Sequence, residues 1–289
     1  MEERAYLEWL SSYTDAETAM AAFRIQKQFF RVNTIKISPE EFSSRSGLKK
    51  AMVPYCGHAF EFQESFQIGR TWEYFLGLIH PQSLPSILVS LVLGPVSGET
   101  VLDVASAPGS KLSHMAALME NKGVLVGNDL KKEKISAIYS TINRLNILNC
   151  IVTDLDGSRL PWKERFDRVL LDAPCTALGS GASASSRWEP ENSSKISILQ
   201  KAMIEKAYDA LKPGGVMVYS TCTYAKEENE EVVKHVLESR SGAGLEDIAL
   251  DFPHERGISD FGEEFSKVRR IYPQHLSSEG FFMAKIRKG

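Results

Sequence analysis

Two of the four cysteines are set apart by their neighbours. Cys175 closes the run Leu171-Asp172-Ala173-Pro174-Cys175, and Cys222 lies within Ser220-Thr221-Cys222-Thr223. Each follows directly on an apolar stretch that reads as a core strand. A cysteine is most often a small buried hydrophobe, and for Cys150, inside an apolar run, and for Cys56 that reading suffices. A thiol just past the end of a strand and before a helix is a different case. Helix amino termini and nearby cations lower thiol pKa and make a nucleophilic thiolate available. The second set of candidates is acidic. Asp129 ends the run GVLVGND that starts at Gly123; Asp154 and Asp156 follow Cys150-Ile151-Val152-Thr153; Asp172 precedes Cys175. An acid roughly 20 residues past a tight first turn holds the ribose hydroxyls of a nucleotide-like cofactor.

The turn itself is in Glu99 to Lys111, ETVLDVASAPGSK. Val101 to Val104 reads as a strand buried on both faces, and Ala105-Ser106-Ala107-Pro108-Gly109 as a small-residue turn. From Ser110 the apolar positions Leu112, Met115, Ala116 and Leu118 recur at helical spacing. Such a turn lets backbone approach a ligand at the carboxyl end of a first parallel strand. Neither G-x-G-x-x-G nor a phosphate-loop motif is present, which argues against NAD and ATP. From Gly98 on, strands and helices alternate: 123–129, 150–154, 168–172 and 216–220 as strands, 132–146, 196–211 and 226–238 as helices, and strand character over 269–288. The segment 176–194, rich in Ser, Gly and Ala, reads as a mobile loop.

A chain of 289 residues with 43% hydrophobic content can bury one large core and a smaller one. Residues 1–75 read as a small α+β domain: two helices broken near Ser11 to Asp15, a strand over Phe30 to Lys36, a short helix after Ser38-Pro39, and strands near 52–53 and 60–62. Residues 76–289 form the α/β catalytic domain. The net charge of −3 gives no global attraction to a polyanion, so any nucleic-acid contact must come from a local basic face. Arg24, Lys27, Arg31, Lys36, Lys49 and Lys50 near aromatics supply one candidate, although surface lysines are commonplace. The scattered cysteines suggest neither a zinc site nor a disulfide framework. The acidic start is no signal peptide, and the longest apolar run, Ile87 to Val96, is too short to span a bilayer. The expectation is a soluble, cytoplasmic, monomeric protein.

Together the motifs resemble the Sun/NSUN family of RNA cytosine-5 methyltransferases. They are Asp103-x-x-x-Ala-Pro-Gly-x-Lys111, Leu171 to Cys175, Ser220 to Thr223, Glu227 to Glu230, Arg31-Val-Asn-Thr, Gln82 and the closing Glu279-Gly-Phe-Phe-Met-Ala-Lys. The resemblance implies a Rossmann-like S-adenosylmethionine-dependent methyltransferase sheet behind the small amino-terminal domain. It further implies a covalent route in which a thiolate adds to carbon 6 of cytosine and makes carbon 5 nucleophilic. In that scheme Cys222 is the nucleophile and Cys175 assists breakdown of the adduct; related DNA enzymes use the Pro-Cys cysteine instead, so motif chemistry alone leaves the order open. Asp172 would bond the cytosine edge and act as general acid, with Lys111 beside it. The cofactor would lie across 105–111 (Ala105, Ser106, Ala107, Pro108, Gly109, Ser110, Lys111), with Asp129 on its ribose, Asp156 rather than Asp154 facing adenine, and Asp172 near the methionine end. RNA would meet Arg31 and Lys36 of the first domain and Arg187 in the 176–194 loop, where Trp188 could stack on a base taken out of its stack. Glu279 stands where aspartate is common, and Thr176-Ala177 where Ser-Gly is.

No metal is expected. Among RNAs the compact amino-terminal domain favours tRNA, with ribosomal RNA as runner-up. An exocyclic-amine methyltransferase would need an Asn/Asp-Pro-Pro-Tyr type turn and no thiol, which the Asp-Ala-Pro-Cys run does not provide. A non-catalytic RNA-binding protein on the same scaffold would have little reason to keep the cofactor acids and both cysteines.

Overall fold

The computed structural model describes residues 2–64, 67–181, 186, 188–189 and 191–289. The first part of the chain builds α1 (Glu2–Leu10), α2 (Ala16–Arg24), β1 (Phe29–Val32), α3 (Pro39–Arg45), β2 (Lys50–Val53), β3 (Cys56–Phe62), α4 (Trp72–Phe75) and β4 (Ile79–Pro81). The helix starts follow local chemistry. Asp15 accepts from the backbone N–H groups of Glu17 and Thr18, and Ser38 caps α3 with Pro39 at its first position. The four strands form an antiparallel sheet in the order β2-β3-β1-β4. Phe30, Phe42, Phe60 and Phe62 fill one side of it, the Phe30 and Phe62 rings lying 4.4 Å apart. Because β4 pairs with β1, Phe30 opposite Pro81, this sheet reaches Pro81, past the boundary drawn at 75. Helices α1 and α2 do not cover it. Tyr6, Leu10, Ala16, Ala19 and Phe23 pack instead with Tyr224 and Tyr272 of the second part.

The second part contains α5 (Leu84–Leu93), β5 (Thr100–Asp103), α6 (Ser110–Leu118), β6 (Val124–Asn128), α7 (Lys132–Leu145), β7 (Cys150–Thr153), β8 (Phe166–Asp172), α8 (Asn192–Ala210), β9 (Leu211–Thr221), α9 (Glu230–Ser239), β10 (Ala243–Glu246), β11 (Glu255–Arg256), β12 (Arg269–Ile271), α10 (Pro273–Leu276) and β13 (Phe281–Lys288). Its sheet runs β11-β12-β13-β9-β8-β5-β6-β7, with β10 added beside β13. The five strands from β7 to β9 are parallel, whereas β13 is antiparallel to β9. Core strands carry apolar side chains on both faces, as parallel strands between helices must: Val101 and Leu102 of β5 belong to opposite core layers. From β5 the chain moves one way to β6 and β7, then returns to the other side for β8 and β9. That reversal opens a crevice beyond the carboxyl ends of β5 and β8, the place where such sheets bind ligands.

Two buried cations cross-link elements distant in sequence. The Arg31 guanidinium, fully buried, donates from Nε to Gln82 Oε1 at 3.0 Å and from Nη2 to Ser113 Oγ at 2.5 Å and Ser110 O at 3.2 Å. It ties β1 to the first turn of α6. Arg270 of β12 forms a two-pronged pair with Glu230, at 2.6 and 2.5 Å, and also donates to Tyr224 O at 2.9 Å. With side chains 3% and 0% exposed, neither charge has water to fall back on. Glu230→Ala should therefore leave Arg270 uncompensated and cost about 3–5 kcal/mol. Urea denaturation followed by fluorescence should show a matching fall in midpoint, and an unchanged midpoint would contradict this role for the pair.

Candidate active site

The two candidate cysteines meet. Cys175, after β8, and Cys222, after β9, have their sulfurs 3.2 Å apart, although 47 residues separate them. Strand pairing accounts for this: Asp172 lies opposite Ser220 in the parallel ladder, so the two chains leave the sheet side by side. Beyond the ladder the loops stay clamped. Ala173 N donates to Ser220 O, Gly179 N to Cys222 O, and Gly280 N to Gly179 O. A side chain at Gly179 would meet Gly280 O at 2.7 Å and Cys222 O at 3.0 Å, so only glycine permits this approach.

Next to the thiols lies a buried charge cluster. Lys111, in the first turn of α6, donates to Asp172 Oδ2 at 2.7 Å, and Ser220 Oγ donates to Asp172 Oδ1 at 2.7 Å. Burial pulls the Lys111 pKa down, but Asp172, Glu279 and Asp103 outweigh it and raise it overall, so the ammonium is held charged. Glu279 accepts from the Ser83 hydroxyl, and burial raises its pKa. Asp103 is pushed up to about 8 by burial and then by the charge of Asp172, and among the described residues neither of its carboxyl oxygens has a hydrogen-bond partner. The thiols did not turn out as expected from sequence. The hydrogen bond to Cys175, then burial, then the neighbouring negative charges raise the Cys222 pKa well above its ordinary value. The resting nucleophile candidate is a protonated thiol, held so first by the bond to Cys175 and by burial.

The turn 105–111 sits at the crevice. Gly109 has φ +99, and a side chain there would crowd Thr141 at 3.3 Å. Ser106 donates from its backbone N–H and from its hydroxyl to Asn128 O, at 2.8 and 3.1 Å. Ser110 turns the other way, its hydroxyl 3.0 Å from His80 Nε2 of β4. Asp129 follows β6 and is nearly buried, oriented by the N–H groups of Ala107 at 3.2 Å and Lys131 at 3.1 Å. Asp156 accepts from Ser158 N at 2.9 Å and Ser158 Oγ at 2.7 Å, closing a short turn. Asp154 points further out, 3.8 Å from Lys132 and 54% exposed.

The RNA-contact expectation needs correction. Arg31 is fully buried and committed to the α6 start, so it offers nothing to a strand of RNA. Lys36 spends its ammonium on the carbonyls of Leu76 and Arg144, 2.8 Å each, at the end of α7. Lys27 is paired with Glu61, Lys49 with Glu64, and Lys50 bonds the carbonyls of Ser46 and Leu48. Alternating charge along the sequence concealed these pairings. Arg187 lies outside the described residues. Trp188 packs with Trp9 and Tyr6, ring centres 6.0 and 6.4 Å away, and so does not stand free over the crevice.

Sequence reasoning left other residues without roles. Glu228 is buried, and burial raises its pKa; it accepts from Thr176 N at 3.0 Å, from the Thr176 hydroxyl and from Gln200 Nε2 at 3.0 Å. Thr176 is in turn 3.1 Å from the Thr223 hydroxyl, which links the residues after both cysteines. Asn229 takes the Thr221 hydroxyl at 2.6 Å and donates to Thr223 O at 3.0 Å. Glu228 and Asn229 of the Glu227 to Glu230 motif thus brace both thiol loops; the sequence pattern places them inside a helix over 226–238, whereas the helix begins at Glu230. Asn128 has no signal in the sequence: its amide joins Val104 O, Leu155 O and Leu155 N, fixing the ends of β5, β6 and β7 relative to one another.

A Rossmann-like sheet with a ligand crevice at its reversal point, a small-residue turn and an acid after the second strand is the architecture of an S-adenosylmethionine-dependent methyltransferase. Comparison with known proteins narrows this. Residues 90–287 match the family model described as 16S rRNA methyltransferase RsmB/F. The chain is 39% identical over 288 residues to a ribosomal RNA small subunit methyltransferase F of Vibrio cholerae, covering 94% of this chain and 60% of that protein. A protein of the same name from Vibrio parahaemolyticus is 38% identical, covering 98% of this chain and 63% of that protein. The chain therefore spans about 60% of the length of these curated relatives. Among solved structures, a methyltransferase homolog protein from Pyrococcus horikoshii superposes with a TM-score of 0.84 at 34% identity, over 95% of this chain and 90% of the other. NSun6 from the same organism, solved with SFG, gives 0.88 at 26% identity, over 98% and 97%. This chain belongs to the RsmB/F family of Sun/NSUN-type RNA cytosine-5 methyltransferases.

The cysteine pair makes a prediction about resting reactivity. Cys175→Ala removes the largest influence raising the Cys222 pKa. Below both values, each unit the pKa falls multiplies the thiolate about tenfold. Iodoacetamide labelling followed peptide by peptide at pH 8 should modify Cys222 several times faster in Cys175→Ala, and the wild-type rate should climb as pH rises. An equal or slower rate in the variant would mean that Cys175 does not hold the proton on Cys222.

Proposed function

We propose that this chain methylates carbon 5 of a cytosine in ribosomal RNA through a covalent cysteine–RNA adduct. The observation that carries the reading is the pair of thiols 3.2 Å apart beside a Lys111–Asp172 ion pair of 2.7 Å, at the reversal point of the sheet. Ribosomal RNA is preferred over the tRNA favoured from sequence because relatives 38–39% identical carry the name ribosomal RNA small subunit methyltransferase F.

The crevice suits S-adenosylmethionine. Asp103 is a buried carboxyl whose oxygens have no hydrogen-bond partner among the described residues, and a cationic amino-acid end would supply one. Asp129, already oriented by two backbone N–H groups, keeps lone pairs for ribose hydroxyls. Asp156, on the side of β5, is the better placed acid for adenine than the outlying Asp154. The cofactor supplies an electrophilic methyl group.

The residues then divide the work. Cys222 gives up its proton to the Asp172 carboxylate and its sulfur bonds to carbon 6 of the ring. The carbon 5–carbon 6 π pair moves toward carbon 4, the carbon 4–nitrogen 3 π pair moves onto nitrogen 3, and Asp172 passes the proton on to nitrogen 3, while Lys111 stays charged and holds the carboxylate in place. Carbon 5, now nucleophilic, accepts the methyl. A base then takes the proton from carbon 5, nitrogen 3 returns its proton to Asp172, and the re-formed carbon 5–carbon 6 double bond expels the Cys222 thiolate and restores the aromatic ring. Cys175 lies within contact of that sulfur and assists this last step.

The two cysteines should fail differently. Cys222→Ala should give neither methylated product nor adduct, whereas Cys175→Ala should accumulate an RNA–protein species stable on a denaturing gel. The mirror-image result would reverse the roles, and methylation surviving in Cys222→Ala would remove thiol catalysis. Asp129→Ala should weaken S-adenosylmethionine binding by roughly 1.5–3 kcal/mol. Calorimetry showing equal affinity would overturn the ribose assignment.

A further inference from the structure

The helical hairpin α1–α2 bears none of the reacting groups, yet it grips the loops that carry both cysteines. Tyr6 of α1 is fully buried, and its hydroxyl donates to Leu178 O at 3.1 Å, three residues past Cys175. Tyr13, in the turn between the two helices, accepts from Lys226 N at 3.3 Å, four residues past Cys222. Trp9, on the same helix as Tyr6, lies 6.0 Å from Trp188 and 6.5 Å from Tyr224, ring centre to ring centre. The hairpin is itself fastened to α10 and β12. Gln274 donates to the Thr14 hydroxyl at 2.9 Å, Lys27 N donates to Ser277 O at 2.9 Å, and the Arg270 guanidinium stands 5.2 Å from the Tyr13 ring centre. These bonds give its grip on the loops a firm seat.

The Cys175 loop has a physical need to be held. Ala177, between the cysteine and Leu178, has φ +56. An alanine in the left-handed region is strained, and such strain persists only where the surroundings over-determine the backbone. Here both sides are tied. Before Ala177, Thr176 N donates to Glu228 Oε2 at 3.0 Å. After it, Leu178 O takes the Tyr6 hydroxyl and Gly179 N donates to Cys222 O at 2.9 Å. Of these ties, the one from Tyr6 is supplied by the amino-terminal part of the chain.

We propose that Tyr6 is a positioning residue for the reaction: its hydroxyl keeps the strained turn at Ala177 closed and so keeps the Cys175 sulfur against that of Cys222. This deepens the proposed function and rests on it for the effect on turnover. Tyr6 acts on Cys175 through Leu178 and the turn. The sulfur contact of 3.2 Å gives the turn two effects. The Cys175 thiol is the first of the influences that keep the proton on Cys222, so an opened turn leaves a more reactive Cys222 in the resting protein. Cys175 also assists the expulsion of Cys222 from the methylated ring, so the same opening slows release of the adduct. A faster-reacting free thiol combined with a slower release marks loss of position, which general loss of structure does not produce.

The test is Tyr6→Phe, which removes the hydroxyl and leaves the ring beside Trp9 and Trp188, alone and combined with Ala177→Gly. Glycine adopts positive φ freely, so the turn then no longer needs its tie. Without RNA, iodoacetamide labelling of Cys222 at pH 8 should be about fivefold faster in Tyr6→Phe than in wild type, the rise in open turn from losing one neutral hydrogen bond. With a small-subunit ribosomal RNA transcript and S-adenosylmethionine, the same variant should accumulate adduct on a denaturing gel. Its affinity for S-adenosylmethionine should stay that of wild type. The double variant should return both readouts to the wild-type level, and Ala177→Gly alone should match wild type. Labelling of Tyr6→Phe at the wild-type rate would overturn the proposal. Faster labelling that Ala177→Gly does not reverse would overturn it too, since that marks a loosened hairpin. Absence of methylation in the wild type, with no adduct in Cys175→Ala, would instead overturn the proposed function. The labelling arm needs no RNA and would still decide the role of Tyr6.

Discussion

A lysine ammonium buried among carboxyl groups is the constraint on which this site depends. Lys111 cannot lose its charge, because Asp172, Glu279 and Asp103 surround it, and those acids could not share the space without it. Each comes from a different element: Lys111 from the start of α6, Asp103 from the end of β5, Asp172 from the end of β8, and Glu279 from the turn before β13. Their convergence requires the strand order β13-β9-β8-β5. It also requires α6 to begin where it does, which the Gly109 turn and the Arg31 bonds to Ser110 and Ser113 secure. The amino-terminal sheet therefore reaches the chemistry through packing: Arg31 anchors the helix that carries the lysine.

The hydrogen bond to Cys175 and burial raise the Cys222 pKa, and the acids of this cluster add to them; a positively charged ligand entering beside Asp103 would reduce the acids' share. For a nucleophile in a reducing or oxidising cell a protonated resting state is useful in itself, since a standing thiolate oxidises readily. The two sulfurs at 3.2 Å are held in this contact by backbone bonds at Ala173 and Gly179 and by the Glu228–Thr176–Thr223 chain.

Much of this was legible from residue order. The parallel core strands announced themselves as apolar runs ending in Asp103, Asp129 or Asp172, and the capping residues Asp15 and Ser38 marked helix starts. The convergence of Cys175 and Cys222 followed from their placement just beyond strand ends. Other features depend on partners distant in sequence and left no local trace. Strand β4, three residues long and ending in proline, carries too little pattern to be seen. Asn128 and Glu279 act through neighbours that only the folded sheet supplies. Arg31 was misread for the same reason: a basic residue among aromatics looks like a surface for RNA until its hydrogen-bond acceptors, Gln82, Ser110 and Ser113, are brought to it.

That misreading has a consequence for how RNA must be held. With a net charge of −3 and Lys27, Lys49 and Lys50 engaged by Glu61, Glu64 and backbone carbonyls, the first domain does not present the basic face expected of it. Phosphate neutralisation supplies most non-specific affinity in RNA and DNA binding. A chain that has little of it there must draw affinity from elsewhere: from unstacked bases, or from regions of its longer relatives that it does not match. The first source favours single-stranded or loop cytosines whose neighbours are free to leave their stack, because the unpairing cost is then small.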